Sequence, residues 1–393
     1  MNRNLQKLFE ISNKPRRLVM GLMSGTSLDG LDIALCSFEG SGAATKVELL
    51  HFETIEYPDA FRKEIRTVFS KRMVDLEKLC LLHPQIALQH AAAVLACLKK
   101  WNVPATSVDL LASHGQTIYH APQRSHQQAG YGNATLQIGD GDHLAMATGI
   151  ITVSDFRQKH IAAGGEGAPL AVYGDQVLFG KKGEDRILLN IGGIANFTFL
   201  PGSPEDGNIL CTDVGPGNTM MDTLVQENFA GEYFDKDAAL ASKGNVNEAL
   251  LLVLKDDPFF DQPFPKTTGP ELFNSSYLHN AMHKSDTLLL SLEDRVATLN
   301  RFTADMIATA IKACVPGKKG IPIFCSGGGM HNPLLMKNLE AQLPGYSFHD
   351  TMELGIDPDA KEAVLFAVLA NECICGNAGE ITPVSMGKIS FPS

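Results

Sequence analysis

A chain of 393 residues, 44% hydrophobic and 20% charged, can bury a substantial core and has the length of two or three domains. Its formal net charge of -11, with no block of clustered Lys and Arg, argues against a nucleic-acid partner, because counterion release needs such clusters. The N-terminus lacks the apolar segment and small-residue cleavage site of a secretory signal, and no run approaches the roughly 18 apolar residues of a membrane span. The eight cysteines, Cys36, Cys80, Cys97, Cys211, Cys314, Cys325, Cys373 and Cys375, form no CxxC pair and mostly lie in apolar runs. They are expected to be reduced core thiols of a cytoplasmic protein, not disulfides or zinc ligands.

In chain order, "RLVMGLM" and "LDIALCSFEG" predict a hairpin whose tip is "SGTSLDG", residues 24–30. "KVELLHFETIEY" offers a further strand, and "AFRKEIRTVFSKR" and "PQIALQHAAAVLACLKKW" carry helical apolar spacing. "VDLLASHGQTIYH" reads as a buried strand that breaks at Gly115, and "GIITVSDF" as another that breaks at Asp155. A second glycine hairpin, "RILLNIGGIANFTFL", follows roughly 165 residues after the first. Beyond a looser middle at residues 256–274 comes a helix over residues 291–314, with Leu292, Val296, Leu299, Phe302, Met306 and Ile311 on one face and Ser291 and Asp294 as capping groups. A strand in "GIPIFCSGGG" and helices in "NPLLMKNLEAQL" and "DAKEAVLFAVLANEC" complete the pattern. The class is α/β, and the two strand-glycine-strand units suggest two similar domains facing each other across a cleft.

Three glycine-rich turns each follow a strand: "SGTSLDG", "NIGGIAN" and "CSGGGMHNP". Glycine lets backbone N–H groups approach a ligand closely, as a polyphosphate requires. No GxxxxGK[ST] occurs and the kinase HRD and DFG signatures are missing, so P-loop and protein-kinase folds are set aside. One such turn is ordinarily structural. Three of them, with Asp29, Asp32 and Asp213 beside or between them, point to a nucleotide with a divalent ion.

Eight segments in this order, "GLMSGTSLDGLDIAL", "SHGQTIYH", "TLQIGDG", "SDFRQKHIAAGGEGAPL", "LNIGGIANFTFL", "DVGPGNTMMD", "DPFFDQPFPKTTGPELFN" and "SGGGMHNPLLM", resemble the anhydro-N-acetylmuramic acid kinases from about residue 20 to residue 369. The resemblance implies the fold shared by actin, the sugar kinases and the heat-shock ATPases: two ribonuclease H-like domains. It places the N-terminal lobe at residues 1–165 plus 376–393 and the C-terminal lobe at residues 166–375. It also implies ATP and Mg2+ as cofactors and a homodimer. The implied reaction belongs to peptidoglycan recycling: O6 of the sugar is phosphorylated while water opens its 1,6-anhydro ring. Closure of the domains over the ligands is expected, to keep other water from the γ-phosphate.

On that resemblance Gly25, Thr26, Ser27, Leu28, Asp29, Gly30, Leu31 and Asp32 form the first phosphate-binding hairpin, with Asp29 and Asp32 both candidates to orient Mg2+ through water. Asn190, Gly192, Gly193 and Asn196 form the second, continued by Asp213, Gly215, Gly217 and Asn218, while Gly327, Gly328 and Gly329 underlie the adenosine. Asp155 is the expected general base for the attacking water, against its ordinary structural reading as a helix N-cap. Arg157 suits a phosphate or the lactyl carboxylate of the sugar. His114, Gln116 and His120 suit sugar hydroxyls, and Glu362 the sugar or ATP site. His160 stands where the family has an acid and Glu166 where it commonly has Gln, which leaves sugar specificity more open than ATP binding. A changed sugar substrate and an ATP-driven switch protein are the alternatives.

Overall fold

The computed structural model describes residues 2–25, 28–203, 208–269, 272–357, 359–379 and 382–393. These form strands β1 (Arg16–Ser24), β2 (Gly30–Glu39), β3 (Lys46–Glu56), β4 (Leu110–Ala121), β5 (Ala134–Ile138), β6 (Thr152–Ser154), β7 (Arg186–Ile191), β8 (Ile194–Leu200), β9 (Leu210–Pro216), β10 (Pro322–Ser326), β11 (Ser347–Asp350) and β12 (Lys388–Ser390). The chain divides into unit 1, residues 1–178 and 359–393, and unit 2, residues 179–358.

Unit 1 is built on the order β12-β6-β4-β1-β2-β3, with β5 paired to β4. β2 runs antiparallel to β1 and β3, while β1, β4 and β6 are parallel. Unit 2 has the order β11-β10-β7-β8-β9, with β8 antiparallel to its neighbours and β7, β10 and β11 parallel. Setting aside β12 and β5, the two sheets have the same order and the same strand directions. This is the ribonuclease H-like plan that the family resemblance implied, and each hairpin joins the first two strands of its sheet.

The division departs from the expected boundaries at 165 and 375. The helix Lys361–Cys375 belongs to unit 1, because it lies on β1 so closely that a Cβ at Gly21 would stand 1.8 Å from the Ala363 carbonyl oxygen. Its run of buried side chains from Ala363 to Glu372 reads as a core helix wherever it docks, so the sequence alone does not say which sheet it covers.

Three local expectations are corrected. β4 does not break at Gly115 but runs on to Ala121. Gly115 adopts φ 72°, and the register with β1 jumps from Leu22 opposite Ser113 to Ser24 opposite Gln116, a bulge that glycine accommodates. At the helix Leu292–Cys314, the Ser291 hydroxyl accepts from the Asp294 N–H at 3.1 Å, but the Asp294 carboxylate accepts instead from the Asn245 N–H at 2.7 Å, tying down a distant loop. The helix Leu76–Lys100 is, by length and composition alone, apolar enough to cross a membrane, with a window of mean hydropathy 1.3, which the sequence reading had not found. Its Leu82, Ile86, Ala87, Ala91, Val94 and Leu98 face the core of unit 1 together with Met20, Leu22 and Ile33. All eight cysteines are free.

Candidate active site

In unit 1 the tip of the first hairpin is held from below by a chain of buried hydrogen bonds. His90 Nε2 lies 2.7 Å from the Tyr57 hydroxyl, Tyr57 donates to Ser24 Oγ at 2.9 Å, and Ser24 donates to Gln116 Oε1 at 2.6 Å. Gln116 Nε2 then donates to the Gly25 carbonyl at 3.1 Å. Because Tyr57 gives its proton to Ser24, it accepts from His90, whose ring is neutral: burial pushes it down to about 4. Gln116 is thus an internal brace for the hairpin, with neither Ser24, Tyr57 nor His90 singled out by the sequence. Leu28, at φ 61°, and Leu31 bury their side chains in the core and offer a ligand only backbone groups. Thr26 and Ser27 lie outside the described residues.

Asp29 is exposed and Asp32 half-buried. The Asp32 carboxylate accepts from Thr54 Oγ1 at 2.6 Å, yet its affinity for a proton is raised, first by burial and then by Asp29 and Asp359. Mutually repelling carboxylates beside a glycine hairpin are a donor set that a hard divalent cation relieves, and Mg2+ needs only one or two of them. Among the described residues no group of three or more His, Cys, Asp or Glu forms a metal cage.

Asp155 follows β6 and stands at the N-cap position of the helix Phe156–Ala162, but in left-handed geometry (φ 57°, ψ 43°) and with no capping hydrogen bond from its side chain. A non-glycine residue in that region costs on the order of 1–2 kcal/mol. Its carboxylate instead pairs with Lys388 of β12, the strand that lies antiparallel on β6. Lys388 is 233 residues away along the chain, and nothing in the sequence marks it.

Arg157 holds two groups at once. Its Nε donates to His114 Nε2 at 2.9 Å and its Nη1 to the Gly167 carbonyl at 2.7 Å; Nη2 makes no hydrogen bond among the described residues. His114 is therefore an acceptor at Nε2 and neutral, pushed down to about 3 by burial and then by Arg157. Its ring lies against Phe366 at 4.8 Å, and its Nδ1 is buried without a hydrogen-bond partner among the described residues. So His114 positions the guanidinium. Glu362, in the first turn of its helix, keeps part of its side chain open to solvent, but protein crowds its carboxyl, and desolvation there raises it, with Lys361 and Arg157 opposing and Asp32 adding to the shift. Arg157, Glu362 and Asp32 thus share one electrostatic neighbourhood.

The two departures from the family pattern have structural employment. His160 Nδ1 accepts from the Gly167 N–H at 3.1 Å, which requires the neutral ring that burial favours. Glu166 pairs with Arg124 at 3.1 Å.

In unit 2 the second hairpin and the segment after β9 are stitched through backbone. Gly217 N donates to Gly193 O at 2.9 Å, Asn218 N to Gly192 O at 2.8 Å, and the Asn218 side chain to Ile191 O at 3.3 Å. Ser326 Oγ reaches Asn190 Oδ1 at 3.4 Å. Asn196 stands opposite Asn190 on one side and Asp213 on the other. Asp213 spends one carboxylate oxygen on the Thr268 N–H at 2.9 Å. The glycines divide by role. A Cβ at Gly215 would meet the Phe260 ring at 3.1 Å, at Gly327 the Asn190 Oδ1 at 2.7 Å, and at Gly329 the Ile191 side chain at 2.3 Å, so these serve packing. At Gly193 it would meet Thr219 Oγ1 at 2.6 Å, whereas Gly192 and Gly328 are open, with nothing among the described residues nearer than 3.7 and 3.9 Å.

Gly328 borders a cavity of about 370 Å³ whose walls include Asn218, Met221, Asp222, Phe234 and His331. An apolar pair, a flat glycine surface and a few polar groups at the end of a glycine-lined backbone turn fit a nucleoside joined to a polyphosphate. Apart from Asn218 and Gly328, none of these cavity residues was among those picked from the sequence.

A family model described as anhydro-N-acetylmuramic acid kinase matches residues 17–388. Relatives bearing that name are 53% identical in Pseudoalteromonas atlantica and 51% identical in Pseudoalteromonas translucida, each over 100% of both chains. Another, from Caldanaerobacter subterraneus subsp. tengcongensis, is 42% identical over 98% of this chain and 100% of its own. The chain belongs to the anhydro-N-acetylmuramic acid kinase family, sugar kinases that use ATP with Mg2+ in cell-wall recycling.

Proposed function

We propose that Asp155 is the general base that draws a proton from water as the water attacks the anomeric carbon of 1,6-anhydro-N-acetylmuramic acid. The C1–O6 bond breaks, O6 takes the γ-phosphoryl group of ATP, and the products are N-acetylmuramic acid 6-phosphate and ADP, with the water's proton left on Asp155. The observation that carries this reading is the Asp155 geometry: a carboxylate at a strand end, in a strained backbone conformation, that forgoes the capping bond its position offers. Arg157 presents its unspent Nη2 to the lactyl carboxylate of the sugar, held in place by His114 and Gly167. Glu362 and Gln116 complete the sugar side, Gln116 by bracing the hairpin. Unit 2 holds the nucleotide, its phosphates along Gly192, Gly193, Gly217 and Asn218 and its adenosine over Gly328. Asp29 and Asp32 would hold Mg2+, which supplies charge neutralisation at the transferring phosphoryl group.

Asp155→Asn tests the assignment. Nucleotide binding is expected to survive while sugar-dependent ADP release falls by roughly 10²–10⁴-fold, followed together with formation of the 6-phosphorylated reducing sugar. Near-normal turnover in this variant removes Asp155 as the base. We further propose a cytoplasmic homodimer acting on a small-molecule sugar without nucleic-acid or membrane partners. The net charge of -11 supports the exclusion of nucleic acid, and light scattering in solution tests the dimer.

A further inference from the structure

We propose that Asp222 accepts a hydrogen bond from a ribose hydroxyl and makes unit 2 selective for ribonucleotides over their deoxy forms. This rests on the reading of the Gly328 cavity as the adenosine site.

Lys236, Asp237 and His331 also line that cavity; of its other four polar side chains the fold engages three. Asn218 gives its amide to Ile191 O, and Asn332 Oδ1 accepts from Leu335 N at 3.0 Å and from Asn300 Nδ2 at 3.1 Å. Asp235 uses both carboxylate oxygens, on the N–H groups of Leu240 at 2.8 Å and Ala241 at 3.0 Å. Asp222 is different. Its backbone N–H bonds to Asn218 O at 2.8 Å, but its half-buried carboxylate accepts no hydrogen bond among the described residues. Burial, and then Asp235, raise it to about 6, so it is mostly ionised at neutral pH and can only accept. A half-buried acceptor left without a donor is costly, and a ligand that brings one recovers that cost.

A bound adenosine offers two kinds of donor, the ribose hydroxyls and the exocyclic amine. The position of Asp222 chooses between them. Asn218 closes on Gly192 at the phosphate end, and Asp222 lies four residues further, about 6 Å along the helix Thr219–Asn228. That span is about one sugar unit, so a nucleotide whose phosphates lie at Gly192 brings its ribose beside Asp222. An acid this near a polyanion would only repel it unless it made a specific bond. Carboxylates that select ribose hydroxyls recur in dinucleotide sites for the same chemical reason.

The experiment compares kcat/KM for ATP, 2′-deoxy-ATP and 3′-deoxy-ATP, at saturating sugar, in wild type, Asp222→Ala and Asp222→Asn. Wild type is expected to prefer ATP over at least one deoxy analogue by roughly 10–100-fold, the worth of a hydrogen bond to a charged acceptor. In Asp222→Ala the ATP value falls to that of the analogue and the preference collapses to within about threefold, with Asp222→Asn intermediate. A wild type that does not discriminate, or an alanine variant that still does, overturns the assignment. Gly328→Phe, measured for ADP binding by calorimetry, separates this from the underlying reading. If that bulky ring leaves binding unchanged, the cavity is not the adenosine site and both ideas fall. If it abolishes binding while Asp222→Ala still discriminates, the ribose contact alone falls.

Discussion

Gly217→Ala tests whether the second hairpin is a single rigid platform. The added Cβ would stand 2.2 Å from Gly192 O, a backbone atom with no side chain to swing aside, so one strand must shift by nearly an ångström. On its other side, the Gly217 carbonyl accepts from Thr303 Oγ1 at 3.0 Å. The shift stretches the bonds from Gly217, Asn218 and Thr219 N–H groups to the hairpin carbonyls, now 2.8–3.2 Å. At about 0.5–1.5 kcal/mol each, their loss costs unit 2 about 2–4 kcal/mol, in line with overpacking of about 1–3 kcal/mol elsewhere. The start of the helix that carries Asp222 moves with them, and a misplacement of about 1 Å at a reacting group costs on the order of 10²-fold. The expected result is therefore a lower denaturant midpoint together with a kcat/KM for ATP reduced roughly a hundredfold. Gly328→Ala is the control: its Cβ meets nothing among the described residues nearer than 3.9 Å, so stability should stay within about 0.5 kcal/mol while ATP affinity falls only severalfold. A Gly217→Ala protein with wild-type midpoint and ATP kinetics refutes the platform.

Gly21→Ala should destabilise unit 1 by about 3 kcal/mol or more, since its methyl would lie 1.8 Å from Ala363 O and force the helix Lys361–Cys375 off the sheet; equilibrium unfolding measures this, and an unchanged midpoint contradicts the close approach. His90 and His114 are held neutral, at about 4 and about 3, below the ordinary 6.5, so the unfolded chain binds protons first. Their contribution to stability is complete above pH 6.5 and is lost as pH falls toward 4, about 2 kcal/mol for each by pH 5. Denaturation of His90→Gln beside wild type at pH 7.5 and pH 5 checks the sign, because the variant should lose about half of this pH dependence. Arg157→Lys cannot serve His114, Gly167 and the sugar together. It should raise the KM for the sugar by roughly tenfold or more with the KM for ATP unchanged; parallel rises in both constants would move Arg157 out of the sugar site.

Both hairpins, the long helix Leu292–Cys314 and the strand-and-turn at Ser326 were legible because each depends on local chemistry: alternation, 3.6-residue spacing, and glycine where a chain turns. The family was legible from the order of eight such segments. What escaped depends on contacts made across the chain. Lys388 meets Asp155 only because the last strand returns to β6, and no local pattern foretells that. Gly115 looks in sequence like a strand terminator, since a left-handed glycine and a bulge share one signature; only the register with β1 tells them apart. "DVGPGN" is assigned no strand from its sequence, although Asp213 to Pro216 continue β9, because proline and glycine at an edge strand are tolerated where a central strand would reject them.

The glycines show why motif reading identifies a site sooner than it identifies the residues that work in it. All of them lie in segments that the sequence singled out, yet they answer to different demands. Gly217 and Gly327 are small so that backbone can meet backbone or a neighbouring amide, and Gly215 and Gly329 so that a side chain can pack. Gly328 alone among these five leaves open space bordering a cavity. Selection for a tight fold and selection for ligand access both write the letter G, and only the distance from an imagined Cβ to its nearest neighbour separates them. The same logic applies to the acids. Asp213, Asp235 and Asp294 accept from backbone N–H groups, whereas among the described residues Asp222 has no such partner and Asp155, paired with Lys388, turns away from the one its position offers. A polar group that the fold leaves without a structural task at a buried or strained position is where binding and catalysis should be sought first.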